Sequence, residues 1–303
     1  MSTGFSKLLI CGGLVIDTCE IIDLNSPATT CKNPPNFPKE VYAAIGGLGF
    51  LRNPIICGGF QNTGLSNSCY TLENNEWVPY ASMNSVRIFA AAAQLKDGKL
   101  LVTGGGNGFE HVNNVEILTE DSWESNLPNP PVAFVFHCMV TLNSTTVMVI
   151  GGIGNGLEFS GKTFYFTFGE ERWTEGPPLK YKRGYHTCGK IRQNKESQEM
   201  SIIVAGGSDG LSYMSSVEIL DEGSHEWQTG PELPFGIWNH QMVENQNGGV
   251  VLIGGRSSST LDTLYQLSYG GKDSVWTKME QKMKTPRSSH TAFLIPDNIA
   301  DCF

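Results

Sequence analysis

The chain has no long hydrophobic run. Across 303 residues, none of its apolar stretches approaches the roughly 18 consecutive residues that a membrane-spanning helix needs. Positive charge is scarce too: 21 Lys and Arg face 30 Asp and Glu, and the net charge of -9 argues against a general affinity for nucleic acid or anionic membrane. The first apolar run begins at about Lys7, so no secretory signal peptide is expected within these 303 residues. Serine, histidine and acidic residues show no nucleophile elbow or triad spacing.

What is abundant is glycine, 35 residues of it, beside 15 prolines, a composition suited to many short strands joined by turns. Six times a short apolar run stops at two glycines: Ile10-Cys11-Gly12-Gly13, Ile56-Cys57-Gly58-Gly59, Val102-Thr103-Gly104-Gly105, Val149-Ile150-Gly151-Gly152, Val204-Ala205-Gly206-Gly207 and Leu252-Ile253-Gly254-Gly255. The steps between first glycines are 46, 46, 47, 55 and 48 residues, so the chain is an array of repeats. Each run is too short for a helix and rich in β-branched residues, as expected of a strand buried on both faces.

The rest of each unit repeats as well. A strand holding Glu20, Tyr70, Glu116, Tyr165, Glu218 or Tyr265 follows the glycines, and an acidic or polar turn leads to Trp77, Trp123, Trp173, Trp227 or Trp276, with Cys31 in the first unit. A further strand follows: Val41 to Leu48, Arg87 to Leu95, Phe134 to Leu142, Arg183 to Ile191 and Ile237 to Glu244. With strands named a to d, the glycines closing b and the tryptophan on d, the reading is one all-β domain. It is a six-bladed propeller of four-stranded antiparallel sheets. The first unit lacks a strand a, and the chain finishes with a spare one at Arg287 to Leu294, which closes the ring. The blades are then 1–38 with 285–303, 39–84, 85–131, 132–179, 180–234 and 235–284. Such closure hides sheet edges that would otherwise invite aggregation.

The order Arg-x-x-His on strand a, Gly-Gly after b, an aromatic on c and tryptophan on d resembles the kelch repeat over essentially the whole chain. The resemblance implies a kelch-type propeller that binds other proteins and stands as a monomer; the same architecture serves enzymes of the galactose-oxidase type. Ala44 and Ala90 depart from the pattern where histidine is usual, and no dimerising or ligase-recruiting domain accompanies the repeats. A galactose-oxidase-like site would need tyrosine ligands in a dedicated arrangement that the sequence does not reveal. Ser208-Asp209-Gly210 is only a fragment of a sialidase-type aspartate box.

His137, His186, His240 and His290 stand at equivalent positions in four blades. They are read as packing and hydrogen-bonding groups, so neither metal nor cofactor is expected. Cys11 and Cys19, and Cys57 and Cys69, fall on hairpin-neighbour strands and suit cross-strand disulfides; Cys19 with Cys31 is an alternative, and buried thiols acting as small hydrophobes are another. A sequon, Asn143-Ser144-Thr145, lies in an a-to-b turn. Cytoplasmic and extracellular locations both remain open at this point.

Alternating strands put the b-to-c and d-to-a connections on one face. The d-to-a stretches hold 9 Lys and Arg against 3 acids, whereas the c-to-d hairpins of the other face hold 3 against 16. The connection face also carries Phe60, Phe109, Phe159, Tyr213 and Arg256 after the glycines, and Tyr185 and Trp238 near strand a, aromatics that either stand exposed for a partner or fold inward between blades. Arg87, Arg183 and Arg287 open strand a in alternate blades; one reading has them surround the channel mouth and grip an acidic segment, and the other, which the kelch resemblance implies, has them brace the neighbouring blade. The expectation is a non-enzymatic interaction scaffold or adaptor; the alternatives are a carbohydrate-active or oxidoreductase propeller and a glycan-binding extracellular one.

Overall fold

A computed structural model describes residues 4–14, 16–26, 31–49, 51–271 and 273–299. Residues 27–30 and 300–303, which the sequence reading assigns to blade 1, lie outside them. Six antiparallel sheets stand radially, five of them with strand order a, b, c, d outward from the axis. Blade 3, for example, runs Ala91–Gln94, Leu100–Thr103, Val115–Leu118 and Trp123–Glu124. The innermost strands are Thr291–Ile295, Ile45–Leu48, Ala91–Gln94, Cys138–Thr141, Thr187–Arg192 and Gln241–Glu244, and each touches the next around a closed circle. Strand Thr291–Ile295 pairs with Lys7–Cys11, with Cys11 opposite Thr291, so the C-terminal strand completes the N-terminal blade. Among the described residues that blade shows three strands. A small extra sheet, Val41–Tyr42, Phe60–Gln61 and Gly64–Leu65, caps blade 2.

The repeated side chains explain why the blades stack. Every b strand is buried, save the first residue in blades 4 and 5 (Thr146 and Met200), with its alternate residues feeding the cores on its two sides. Each tryptophan on strand d donates its indole N–H to the stretch that leads into its own blade: Trp77 to Pro35, Trp123 to Ala81, Trp173 to Pro128, Trp227 to Pro177 and Trp276 to Pro231, all at 2.8 to 3.0 Å. Cys31, also buried, takes the place of a tryptophan in blade 1.

The first glycine of each pair makes room for the next blade. Gly104 has φ +66°, and a Cβ there would lie 2.4 Å from the Phe134 carbonyl oxygen and 2.5 Å from the His137 ring. His186 and His240 hydrogen-bond the carbonyls of Ile150 and Ala205, each just before a glycine pair, at 3.1 and 3.2 Å. Glycine is therefore required for both backbone conformation and space.

Strand a begins later than its sequence suggests. In every blade the residue before the histidine or alanine position takes a left-handed conformation: Ala43, Phe89, Phe136, Tyr185, Asn239 and Ser289 have φ between 53° and 59°. Each donates its N–H to the carbonyl of its counterpart in the preceding blade, from Phe89 to Ala43, Ala43 to Ser289 and so on around, at 2.8 to 3.1 Å. Six backbone hydrogen bonds thus close a ring about the axis. The kink that frees these groups is what ends the strand there.

Disulfides join Cys11 to Cys19 and Cys57 to Cys69 across strands b and c, and Cys138 to Cys188 between the innermost strands of blades 4 and 5. Cys31 is disulfide-bonded as well, and Cys19 is not its partner.

Candidate functional site

The three arginines expected at the channel mouth are not there. Arg87, Arg183 and Arg287 are buried to within 1% of full burial, turned outward into their own blades. Arg183 reaches the Glu218 carboxylate at 2.8 Å and the Gly206 carbonyl at 2.8 Å; Arg87 meets Glu116 and Gly104, and Arg287 meets Glu20 and Gly12 in the same way. The glutamates also accept backbone N–H groups of the incoming d-to-a stretch, Glu218 from Lys180 and Tyr181 and Glu116 from Ser85. Burial pulls the Arg87 and Arg183 pKa values down, and the paired carboxylates oppose it. These arginines are braces, and an acidic ligand cannot reach them.

Their placement alternates. In blades 2, 4 and 6 the equivalent two positions are Val41 and Tyr70, Phe134 and Phe164, and Ile237 and Tyr265. Three blades lock the incoming chain with a buried ion pair and three with an apolar contact.

The burial of the arginines also changes the charge of the face. With those three removed and the b-to-c loops included, the face carries eight cations (Lys32, Lys39, Lys162, Lys180, Lys182, Arg256, Lys282, Lys284) and eight acids (Asp17, Glu40, Glu110, Glu158, Asp209, Glu232, Asp262, Glu280). The expected basic face is balanced.

Aromatic residues organise it instead. Phe60, Tyr42, Phe89, Phe136, Tyr185, Trp238 and Tyr213 form an unbroken chain of ring contacts from blade 2 to blade 6, with centroids 5.2, 6.5, 4.0, 3.8, 5.2 and 5.3 Å apart in that order. Phe159 joins it against Tyr185. Three of these rings, Phe89, Phe136 and Tyr185, sit on the left-handed residues that close the backbone ring, so the fold fixes their position. Tyr42, Phe89 and Phe136 were missed by sequence reasoning, although Tyr185 was found; comparing the residue before each histidine or alanine across blades would have revealed two of them.

Outside this arc stand the loop tips. Blades 3, 4 and 5 repeat an Asx-Gly-apolar sequence: Asn107-Gly108-Phe109, Asn155-Gly156-Leu157 and Asp209-Gly210-Leu211. Asn107 Oδ1 accepts the N–H groups of Phe109 and Glu110, and Asp209 Oδ1 those of Leu211 and Ser212. The Ser212 and Leu211 N–H groups hold the Asp209 carboxyl below its ordinary pKa. These turns hold Phe109, Leu157 and Leu211 in solvent, at 99%, 75% and 95% exposure. With Leu14, Phe60 and Tyr213 on b-to-c loops and Tyr181 on a d-to-a stretch, seven of the nine exposed large hydrophobic residues among the described residues lie on this one face. Arg256 is exposed beside them, while Phe159, Tyr185 and Trp238 are half-buried.

Beneath the ring lie the four histidines, lining a cavity of about 80 Å³ on its inner side; His137, His186 and His240 also line a channel of about 630 Å³ that follows the innermost strands. Burial holds His137, His240 and His290 at pKa values of about 3 and His186 well below its usual value, so all four are neutral. Where Nε2 faces a carbonyl, as in His186 and His240, it must carry the proton, which fixes the tautomer.

Comparison with known proteins agrees with this geometry. The Kelch motif family model matches residues 201–234, which run from strand b of blade 5 to the stretch leading into blade 6. The Kelch repeat-containing protein kel-10 of Caenorhabditis elegans is 25% identical over 191 residues, 61% of this chain and 32% of the relative, so the match spans about a third of that protein. The solved structure of YjhT superposes with a TM-score of 0.72 at 14% identity, covering 88% of this chain and 96% of the other. With the same glycine, tryptophan and hydrogen-bond positions recurring around the ring, this chain has the fold of a β-propeller, matches the Kelch motif at residues 201–234 and is similar to a kelch-repeat protein.

Proposed function

We propose that the propeller is a non-enzymatic protein-binding module whose partner docks on the b-to-c and d-to-a face. The observation that carries this reading is the repeated turn that holds Phe109, Leu157 and Leu211 in water in three successive blades. Keeping large apolar side chains exposed costs solubility, and their repetition on one face in three successive blades favours that face as an interaction surface. The aromatic arc behind them supplies the residue types that dominate interface energetics. Since the face carries balanced charge, the partner it suits presents an apolar surface or segment, and the acidic ligand expected from the arginines loses its basis.

Burying one such side chain is worth about 1.5–3 kcal/mol. Removing two loop tips should therefore weaken binding by tenfold or more. The test is capture from the native source on immobilised propeller, comparing wild type, Phe109→Ala/Leu211→Ala, and a control altered on the opposite face, Leu51→Ala/Val275→Ala. A protein retained by wild type and control but lost by the loop variant supports the reading. Equal retention by all three contradicts it.

A further inference from the structure

We propose that Asn143 carries an N-linked glycan, and that the chain matures in an oxidising secretory compartment where that glycan is added. Two independent observations converge on it, and neither depends on the binding reading.

The first is the state of the cysteines. Among the described residues none is free. Two disulfides clamp strand pairs within blades 1 and 2, and a third ties two blades whose cysteines are 50 residues apart, with Cα atoms 5.9 Å apart. Cytosolic thiol buffers keep such pairs reduced, so a propeller stapled this way belongs where disulfides persist.

The second is the local geometry of the sequon. Asn143, Ser144 and Thr145 are all exposed in the tight hairpin between strand a and strand b of blade 4. Asn143 Oδ1 accepts hydrogen bonds from the Thr145 backbone N–H at 2.9 Å and the Thr145 hydroxyl at 3.1 Å. The turn thus uses only the amide oxygen. Nδ2, the atom that would be modified, donates no hydrogen bond among the described residues. The sequon thus offers its amide nitrogen to solvent, as a glycan acceptor must.

The transfer balances without a redox change. Nδ2 attacks C1 of the reducing-end sugar on a lipid-pyrophosphate oligosaccharide, the C1–oxygen bond to pyrophosphate breaks, the lipid pyrophosphate leaves, and the nitrogen gives up one proton. Space for the product exists: Asn143 stands at the edge of a cleft of about 750 Å³ between blades 4 and 5, walled by Tyr165, Lys190, Gln198 and Leu220. This hairpin lies on the face opposite the exposed loop tips, so the glycan leaves them uncovered.

The experiment is intact-mass measurement on the protein from its native source, before and after peptide:N-glycosidase treatment, with alkylation in the absence of reductant. Loss of one oligosaccharide mass, conversion of residue 143 to aspartate and no alkylation at the seven described cysteines, located by peptide mapping, are expected. In the full chain secreted from eukaryotic cells behind a cleavable leader, N143Q and T145A should abolish the mass loss and T145S should keep it, with unchanged thermal melting showing that each variant folds. A native mass that the glycosidase leaves unchanged overturns the proposal, as does free alkylation of those cysteines in the native protein.

Discussion

The backbone N–H of Ala43 donates to the carbonyl of Ser289 at 2.8 Å, joining residues 246 positions apart in sequence. It is the link by which the ring of six hydrogen bonds passes from the C-terminal strand, which completes blade 1, to blade 2. Truncation after Lys284 removes this link, strand Thr291–Ile295 and the Arg287–Glu20 pair together. Two bare strand edges remain, and the buried Glu20 loses its cation. The truncated protein should lose its cooperative thermal transition; an unchanged melting curve would contradict the closure.

The alternation of ion-paired and apolar braces makes a second prediction. Arg183→Ile alone leaves Glu218 buried without its cation and should cost about 3–5 kcal/mol. Adding Glu218→Tyr reproduces the blade 6 pair, Ile237 with Tyr265, and should restore most of that loss. Urea unfolding of the two variants measures the difference. A double variant no more stable than the single would show that the blades are not interchangeable here.

These braces also show how much of the molecule was legible in advance. Repeats at nearly constant spacing announce a propeller because every blade must present the same glycines and the same tryptophan to its neighbours, so the signal is written six times. The site was harder to read. Arg87, Arg183 and Arg287 were visible as a pattern, but their direction depends on Glu116, Glu218 and Glu20, which sit on another strand and enter through register rather than sequence proximity. Charge counted along the chain therefore assigned to the surface what the fold buries. The aromatic arc was half visible for a related reason: its rings touch across blades, and only a comparison of equivalent positions shows that Phe89, Phe136 and Tyr185 are one feature. Phe109, found from the sequence, proved to stand outside that arc as a loop tip.

Four buried neutral histidines link stability to pH. In the unfolded chain they titrate near their ordinary value of 6.5, whereas folded His137, His240 and His290 titrate at about 3 and His186 well below 6.5. Between those values the unfolded state binds more protons, so the stabilisation is fully present above about pH 6.5 and drains away as pH falls toward 3. Urea midpoints measured from pH 7 to pH 4 should fall, and His290→Gln should flatten the slope relative to wild type. Identical slopes would mean that His290 is not buried neutral.

Gly104 is predicted to be intolerant of alanine. The left-handed backbone alone costs a side chain about 1–2 kcal/mol, and the added Cβ would strike the Phe134 carbonyl and the His137 ring. Gly98, with φ +91° and open space around its Cβ position, carries only the conformational part. Denaturation of Gly104→Ala should show the larger loss; equal losses would mean that the blade junction relaxes freely.

Hydrogen–deuterium exchange of the propeller, alone and bound to the captured protein, tests the proposed docking face most directly. The account predicts slowed exchange in the b-to-c loops around 105–112, 154–159 and 208–214, and in the approaches to strand a around 86–89 and 181–185. The c-to-d hairpins around 119–122 and 221–226 should be unchanged. Protection confined to those hairpins, with the loop tips of Phe109, Leu157 and Leu211 exchanging as in the free protein, would place the partner on the other face and contradict it.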